Sequence, residues 1–196
     1  MQRRTAAIAI ASSLSLGLLA CSREDTAQQA TSRKALAPDQ AFEAVATQGR
    51  GFTVGALISA NPVYVLFDPQ CPHCARLWNA AQPLQTRMKF VWMPVAILGP
   101  KSLPQGAALL QASDPVQAMT AHEQSLLANQ GGMSASASVP DELATAIQAN
   151  TQLLNQLGAE SVPFIVARHA RSGEVVTHAG ALETQALIDF VGLGQP

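Results

Sequence analysis

Three cysteines occur in the 196-residue chain, and two of them, Cys71 and Cys74, are separated only by Pro72 and His73. A cysteine becomes a strong nucleophile once its thiol is ionised. Two cysteines three positions apart at a helix start place one sulfur at the helix N-terminus and the other a turn inside, close enough to form a small disulfide. The unpaired N–H groups and the dipole at that terminus favour negative charge. This predicts a Cys71 pKa lowered from about 8.5 into the range of roughly 3.5–7.5. Cys71 is therefore the expected nucleophile of thiol–disulfide exchange. Cys74, more interior, is the expected resolving thiol that takes the bond back from a mixed disulfide. A partly charged His73 imidazole between them would stabilise the thiolate further and make the oxidised form a stronger oxidant.

The same spacing serves zinc, but a structural zinc site needs four ligands, and the chain offers no second Cys pair and no H-x₃₋₅-H. His122, His169 and His178 have no Cys or His at ligand spacing and read as surface or strand residues. No metal site and no cofactor are predicted. A copper-handling chaperone is the alternative from another class, because soft thiolates carry Cu(I); the two-residue spacing argues against it. A lipid-anchored peptide binder is a third reading.

The elements around the cysteines suit the redox reading. Val63-Tyr-Val-Leu-Phe67 has no polar alternation and reads as a central strand covered on both faces. Asp68-Pro69-Gln70 breaks it, and Pro72 sits in the first turn of a helix, where its missing N–H costs nothing. That helix runs to about Leu84 with a kink near Pro83, and Lys89–Met93 is the next strand. Strand, helix, strand at this spacing is a right-handed parallel crossover. A short helix opened by Pro38-Asp39 and an edge strand at Phe52–Val54 precede it. Residues 99–158 read as a helical insert, with a helix capped by Asp114-Pro115, another starting at Pro140 and Gly158 as a C-cap. Phe164–Ala167 and Val175–His178 flank the turn Arg171-Ser-Gly173 as a hairpin, and a last helix spans about Glu183–Val191. The order β-α-β, helical insert, β-β-α makes an α/β chain of thioredoxin-like order. In such a fold Pro163, at the entry to a strand, is the expected cis proline facing the cysteines. The Val162 backbone beside it is then expected to pair with an extended substrate peptide.

The segment Val63-Tyr-Val-Leu-Phe-Asp-Pro-Gln-Cys-Pro-His-Cys74, with Leu77-Trp78 after it, resembles the active-site segment of the periplasmic thiol:disulfide interchange proteins of DsbG and DsbC type. The resemblance covers about Phe52 to Val191. It implies a thioredoxin fold with a helical insertion, isomerase or reductase activity on exported proteins with cysteines, and a membrane electron donor of DsbD type. Three features depart from that family. The stretch before Val63 is too short for an N-terminal dimerisation domain. Pro72-His73 is similar to the dipeptide of the DsbA oxidases, and Val162 stands where DsbC and DsbG carry Thr. An oxidase of DsbA type, recycled by a DsbB-type partner, is the alternative direction.

The N-terminal residues are expected to send this chemistry outside the cytoplasm, and composition sets the class of chain. With 48% apolar and 13% charged residues the chain is globular, and its formal charge of −1 implies no nucleic-acid partner. Residues 1–20 read as a signal peptide: a basic start with Arg3 and Arg4, then an uncharged apolar stretch. The run Leu18-Leu-Ala-Cys21 resembles a lipoprotein signal with Cys21 as the lipidated residue, giving a chain held to membrane lipid. Cleavage there removes Arg3 and Arg4 and takes the charge from −1 to −3. By resemblance to enterobacterial lipoproteins, Ser22 after Cys21 leans towards the outer membrane. Residues 21–37 are polar and read as a flexible tether, followed by the domain at 38–196. Export also suits a redox pair, since disulfides persist in that compartment.

Overall fold

The computed structural model describes residues 35–59 and 61–194. The expected signal peptide, Cys21 and most of the tether lie outside these residues. No helix among the described residues is long and apolar enough to cross a membrane.

The chain begins with helix α1 (Pro38–Gln48) and strand β1 (Phe52–Gly55). Strand β2 (Pro62–Phe67), helix α2 (Pro72–Ala81) and strand β3 (Lys89–Pro94) form the parallel crossover, with Val63 opposite Phe90 and Val65 opposite Trp92. A 3₁₀ turn at Gln82–Leu84 ends the active-site helix around Pro83, which has no N–H to continue the ladder. Helices α3 (Ser102–Gln111), α4 (Pro115–Leu127) and α5 (Asp141–Gln156) fill the interval between β3 and β4 (Phe164–Arg168). The hairpin partner β5 (Val175–Ala179) and helix α6 (Thr184–Phe190) close the chain. The sheet order is β1-β3-β2-β4-β5, with β2 at its centre as its unbroken apolar run requires.

Side chains of β2 alternate between two cores. Tyr64 meets Phe42 of α1 edge to face at 5.5 Å. Phe67, on the other face, meets Trp92 at 5.6 Å, and Trp92 meets Trp78 of α2 at 5.1 Å. Phe67, Trp78 and Trp92 are fully buried, so the helix carrying the cysteines is seated on an aromatic cluster. Rings in these edge-to-face pairs contribute about 0.5–1.5 kcal/mol each beyond the area they bury.

The helices of the insert end as their sequences dictate. The Asp114 carboxylate accepts the Gln117 N–H at 3.0 Å and caps α4. Gly158, at φ +70°, follows α5, where the Gly158 N–H donates to Asn155 O and the Ala159 N–H to Leu154 O. That is a Schellman ending, and a side chain at position 158 would be strained in it. Helix α4 packs on α2, α3 and β1, which brings the insert against the cysteines.

Candidate active site at the start of α2

Cys71 is the N-cap of α2, in extended conformation at φ −96° and ψ 110°. Its carbonyl accepts the Cys74 and Ala75 N–H groups at 3.0 and 3.3 Å, while its side chain lies over the open first turn. Cys71 and Cys74 are both free and both buried, at 4% and 0% exposure. A hydrogen bond from the Cys74 thiol lowers the Cys71 pKa most. Burial opposes this, and the backbone N–H groups of Cys74 and His73 help, leaving it lowered to about 7. Burial pushes Cys74 well above the ordinary thiol value, and the shared hydrogen bond and the Cys71 charge add to that. At neutral pH Cys71 is thus partly ionised, while the inner Cys74 keeps its proton. This is the division a nucleophile and a resolving thiol require.

The Val162–Pro163 peptide is cis, and the Cys71 thiol donates to Val162 O at 3.4 Å. Residues ninety-one positions apart are thereby joined where β2 ends and β4 begins, in the middle of the sheet. Pro72 occupies the first helical position. His73 is exposed. Arg76 Nη1 lies 3.1 Å from His73 Nδ1. A guanidinium can only donate, so this nitrogen is the acceptor. The Cys71 thiolate draws on the His73 backbone N–H.

Asp68, which the sequence presents only as a strand breaker, anchors the loop. Its fully buried carboxylate accepts the N–H groups of Gln70, Ile97 and Leu98 at 2.8, 2.7 and 3.0 Å, and the Ser102 hydroxyl at 2.7 Å. The turn before Cys71 is therefore tied to the turn after β3. Ile97 and Leu98 stand exposed beside it. Gln70 Nε2 donates to Gln105 Oε1, and Gln105 Nε2 donates to Gly131 O and Met133 O at 2.9 and 2.8 Å.

His122 corrects the expectation of a surface residue. It is fully buried on α4. The Met133 N–H donates to Nδ1 at 3.0 Å, so the proton is on Nε2, which donates to Pro69 O at 2.7 Å. Burial lowers its pKa, which keeps the ring neutral. His169 and His178 lie where the sequence suggests, half-buried after β4 and in β5. The remaining site residue missed in the sequence is Glu123, fully buried beside His122. A signal for both existed: Met119, His122, Glu123 and Leu126 follow the i, i+3, i+4, i+7 spacing of one helix face, and all four are buried.

No protein-family model matches the chain. It is 29% identical over 132 residues to the thiol:disulfide interchange protein DsbG of Pseudomonas aeruginosa, covering 66% of this chain and 50% of that one. With DsbG of Escherichia coli it shares 31% identity over 108 residues, covering 53% of this chain and 42% of the relative. The chain is DsbG-like. It spans about half the length of the curated relatives it matches. Its fold is thioredoxin-like: the catalytic domain of Proteus mirabilis ScsC superposes with a TM-score of 0.62 at 18% identity, covering 78% of this chain and 93% of that one. The DsbG-like sequence and the thioredoxin-like fold agree with the resemblance read from the cysteine segment.

Proposed function

We propose that the protein is a thiol–disulfide oxidoreductase that reduces or isomerises disulfides of exported proteins through Cys71-Pro72-His73-Cys74. The observation that carries this reading is the Cys71 sulfur at the N-cap of α2, accepting from the Cys74 thiol and lowered to about 7. The Cys71 thiolate attacks a client disulfide and expels one client sulfur as a thiolate. Cys74 then attacks Cys71, forming the 71–74 disulfide and releasing the second client sulfur. Two electrons pass to the client, and a membrane reductase of DsbD type restores the dithiol.

The acidity of Cys71 bears on direction. A strong oxidase holds its nucleophilic thiol at about 3.5, whereas a general reductant of this fold holds it near 7. A Cys71 thiol lowered to about 7 suits the reducing direction of this reading. The Val162 carbonyl beside Cys71 and the exposed Ile97–Leu98 pair give an extended client a polar edge and an apolar contact. Similarity to DsbG supports protein clients in the periplasm, and the lipoprotein-type sequence at Cys21 supports a lipid anchor, with the outer membrane favoured. An insulin reduction assay tests the reading. Cys71→Ser abolishes activity, and Cys74→Ser accumulates mixed disulfides; turnover by Cys71→Ser at the wild-type rate refutes it.

A further inference from the structure

The strand registers put the cysteines at one end of the sheet. Strands β2 and β3 finish there at Phe67 and Pro94, and β4 begins there at Phe164, next to the contact of Cys71 with Val162. At the other end Lys89 is level with Gly55 and Pro62, and Arg168 with Val175. The six residues of β2 hold the two ends about 17 Å apart.

At the end away from Cys71, the turn from β1 to β2 carries Leu57 and Ile58. They are 67% and 100% exposed, the two most exposed large apolar side chains among the described residues. Backbone bonds hold the turn: the Ala56 N–H donates to Met88 O at 2.9 Å and the Ser59 N–H to Ala56 O at 3.0 Å. Adjacent large apolar side chains at a turn tip, rimmed by charge, mark a contact surface. The rim is basic. Arg87, Lys89, Arg168 and Arg171 stand in the neighbouring turns and strand ends, four of the seven lysines and arginines among the described residues. The acids at this end are Glu174, Asp39, which pairs with Arg168 at 3.8 Å, and Asp189, which accepts the Gln185 amide at 3.1 Å. The other described residues carry three cations and eight acids. The described chain also begins here. Pro38 and Asp39 of α1 line a cavity with Arg168, Gly173 and Val175, and Arg33-Lys34 come just before it in sequence.

We propose that this end of the domain docks on an anionic phospholipid surface. Leu57 and Ile58 enter the apolar layer, the four cations meet lipid phosphates, and Cys71 and Cys74 face away from the membrane. The proposal rests on the reading of Cys21 as a lipid anchor, which brings the domain to lipid. Residues 22–34 span up to about 45 Å when extended, so the tether alone sets no orientation. An apolar pair within a basic rim does set one, because the two contacts require the same face of the domain. Long Lys and Arg stems lie along the apolar boundary while their charged ends reach phosphate. Clients then meet the dithiol from the aqueous side.

The test places the full chain on vesicles of phosphatidylethanolamine and phosphatidylglycerol with brominated acyl chains, which quench an indole only at the apolar layer. Trp78 and Trp92 are fully buried and give a constant background. In Ile58→Trp the brominated lipid removes about half or more of the added emission, whereas in Ile97→Trp, at the cysteine end, the added emission is unchanged. Adding Lys89→Glu and Arg171→Glu, or replacing phosphatidylglycerol by phosphatidylcholine, lowers the quenching of Ile58→Trp about threefold. Equal quenching of the two indoles, quenching of neither, or full quenching on phosphatidylcholine overturns the proposal. So does an emission shift of Ile58→Trp that grows with protein concentration in the absence of vesicles, which assigns the surface to a second copy of the chain. The mass of the N-terminal peptide reads the anchor separately. An unacylated Cys21 overturns the anchor and leaves the comparison of the two indoles standing, while an acylated chain with an unquenched indole at position 58 overturns the docking alone.

Discussion

Replacing Cys74 by Ala removes the first-ranked source of the Cys71 acidity, so its effect can be worked out in advance. With a pKa of about 7 against 9.0 for the reference thiol, Cys71 at pH 7 is about half ionised, where an ordinary thiol is about 1% ionised. The gain in thiolate is about 50-fold. Intrinsic nucleophilicity falls with a Brønsted coefficient near 0.45, which over two pH units costs about eightfold, leaving a net gain of about sixfold. A hydrogen bond to a charged group contributes about 1.5–3 kcal/mol, and 1.36 kcal/mol moves a titration by one pH unit. Cys74→Ala therefore moves the Cys71 midpoint up from about 7 by about one to two pH units, with burial still pulling upward. Cys74→Ser keeps an O–H donor and retains most of the depression. Ultraviolet thiolate absorbance against pH reads both midpoints directly. If the Ala variant titrates where wild type does, the helix N–H groups alone hold the thiolate, and the reasoning is wrong.

Two further predictions concern what holds the site. Asp68→Ala leaves four donors of the loops around Cys71 without an acceptor and lowers stability by about 3 kcal/mol or more in urea unfolding; a loss below about 1 kcal/mol contradicts the anchoring role. His122 is held neutral in the fold, its pKa below the unfolded value of 6.5. The unfolded chain therefore binds a proton first as pH falls, so this contribution is present above about 6.5 and is lost as pH drops below it. His122→Gln removes that component from the stability–pH curve. An unchanged slope in the variant shows that the ring titrates alike in both states.

The frame of the fold was legible because its signals are local. The unbroken run Val63–Phe67 marks a doubly covered strand, and Pro72 after Cys71 marks a helix start. Gly158 and Asp114 mark helix ends by backbone and capping chemistry that needs no partner. The buried polar residues were hidden for the opposite reason. Asp68, His122 and Glu123 are polar types that a hydrophobic pattern does not assign to the core, even where the α4 spacing sets two of them on its face, and the partners of Asp68 and His122 lie up to 53 residues away. What makes a His or Glu tolerable inside is a tertiary acceptor or a shifted ionisation, and neither appears in a window of sequence. The contact of Arg76 with the His73 ring was likewise hidden, because it depends on the exposed face the two side chains share one helical turn apart.

The most direct measurement equilibrates the purified protein with glutathione buffers and counts free thiols on Cys71 and Cys74 by alkylation and mass. The account predicts one reversible two-electron transition in which both thiols disappear together into a 71–74 disulfide, absent from Cys71→Ser. Thiols that remain free across the whole range, or that glutathionylate independently of each other, contradict it.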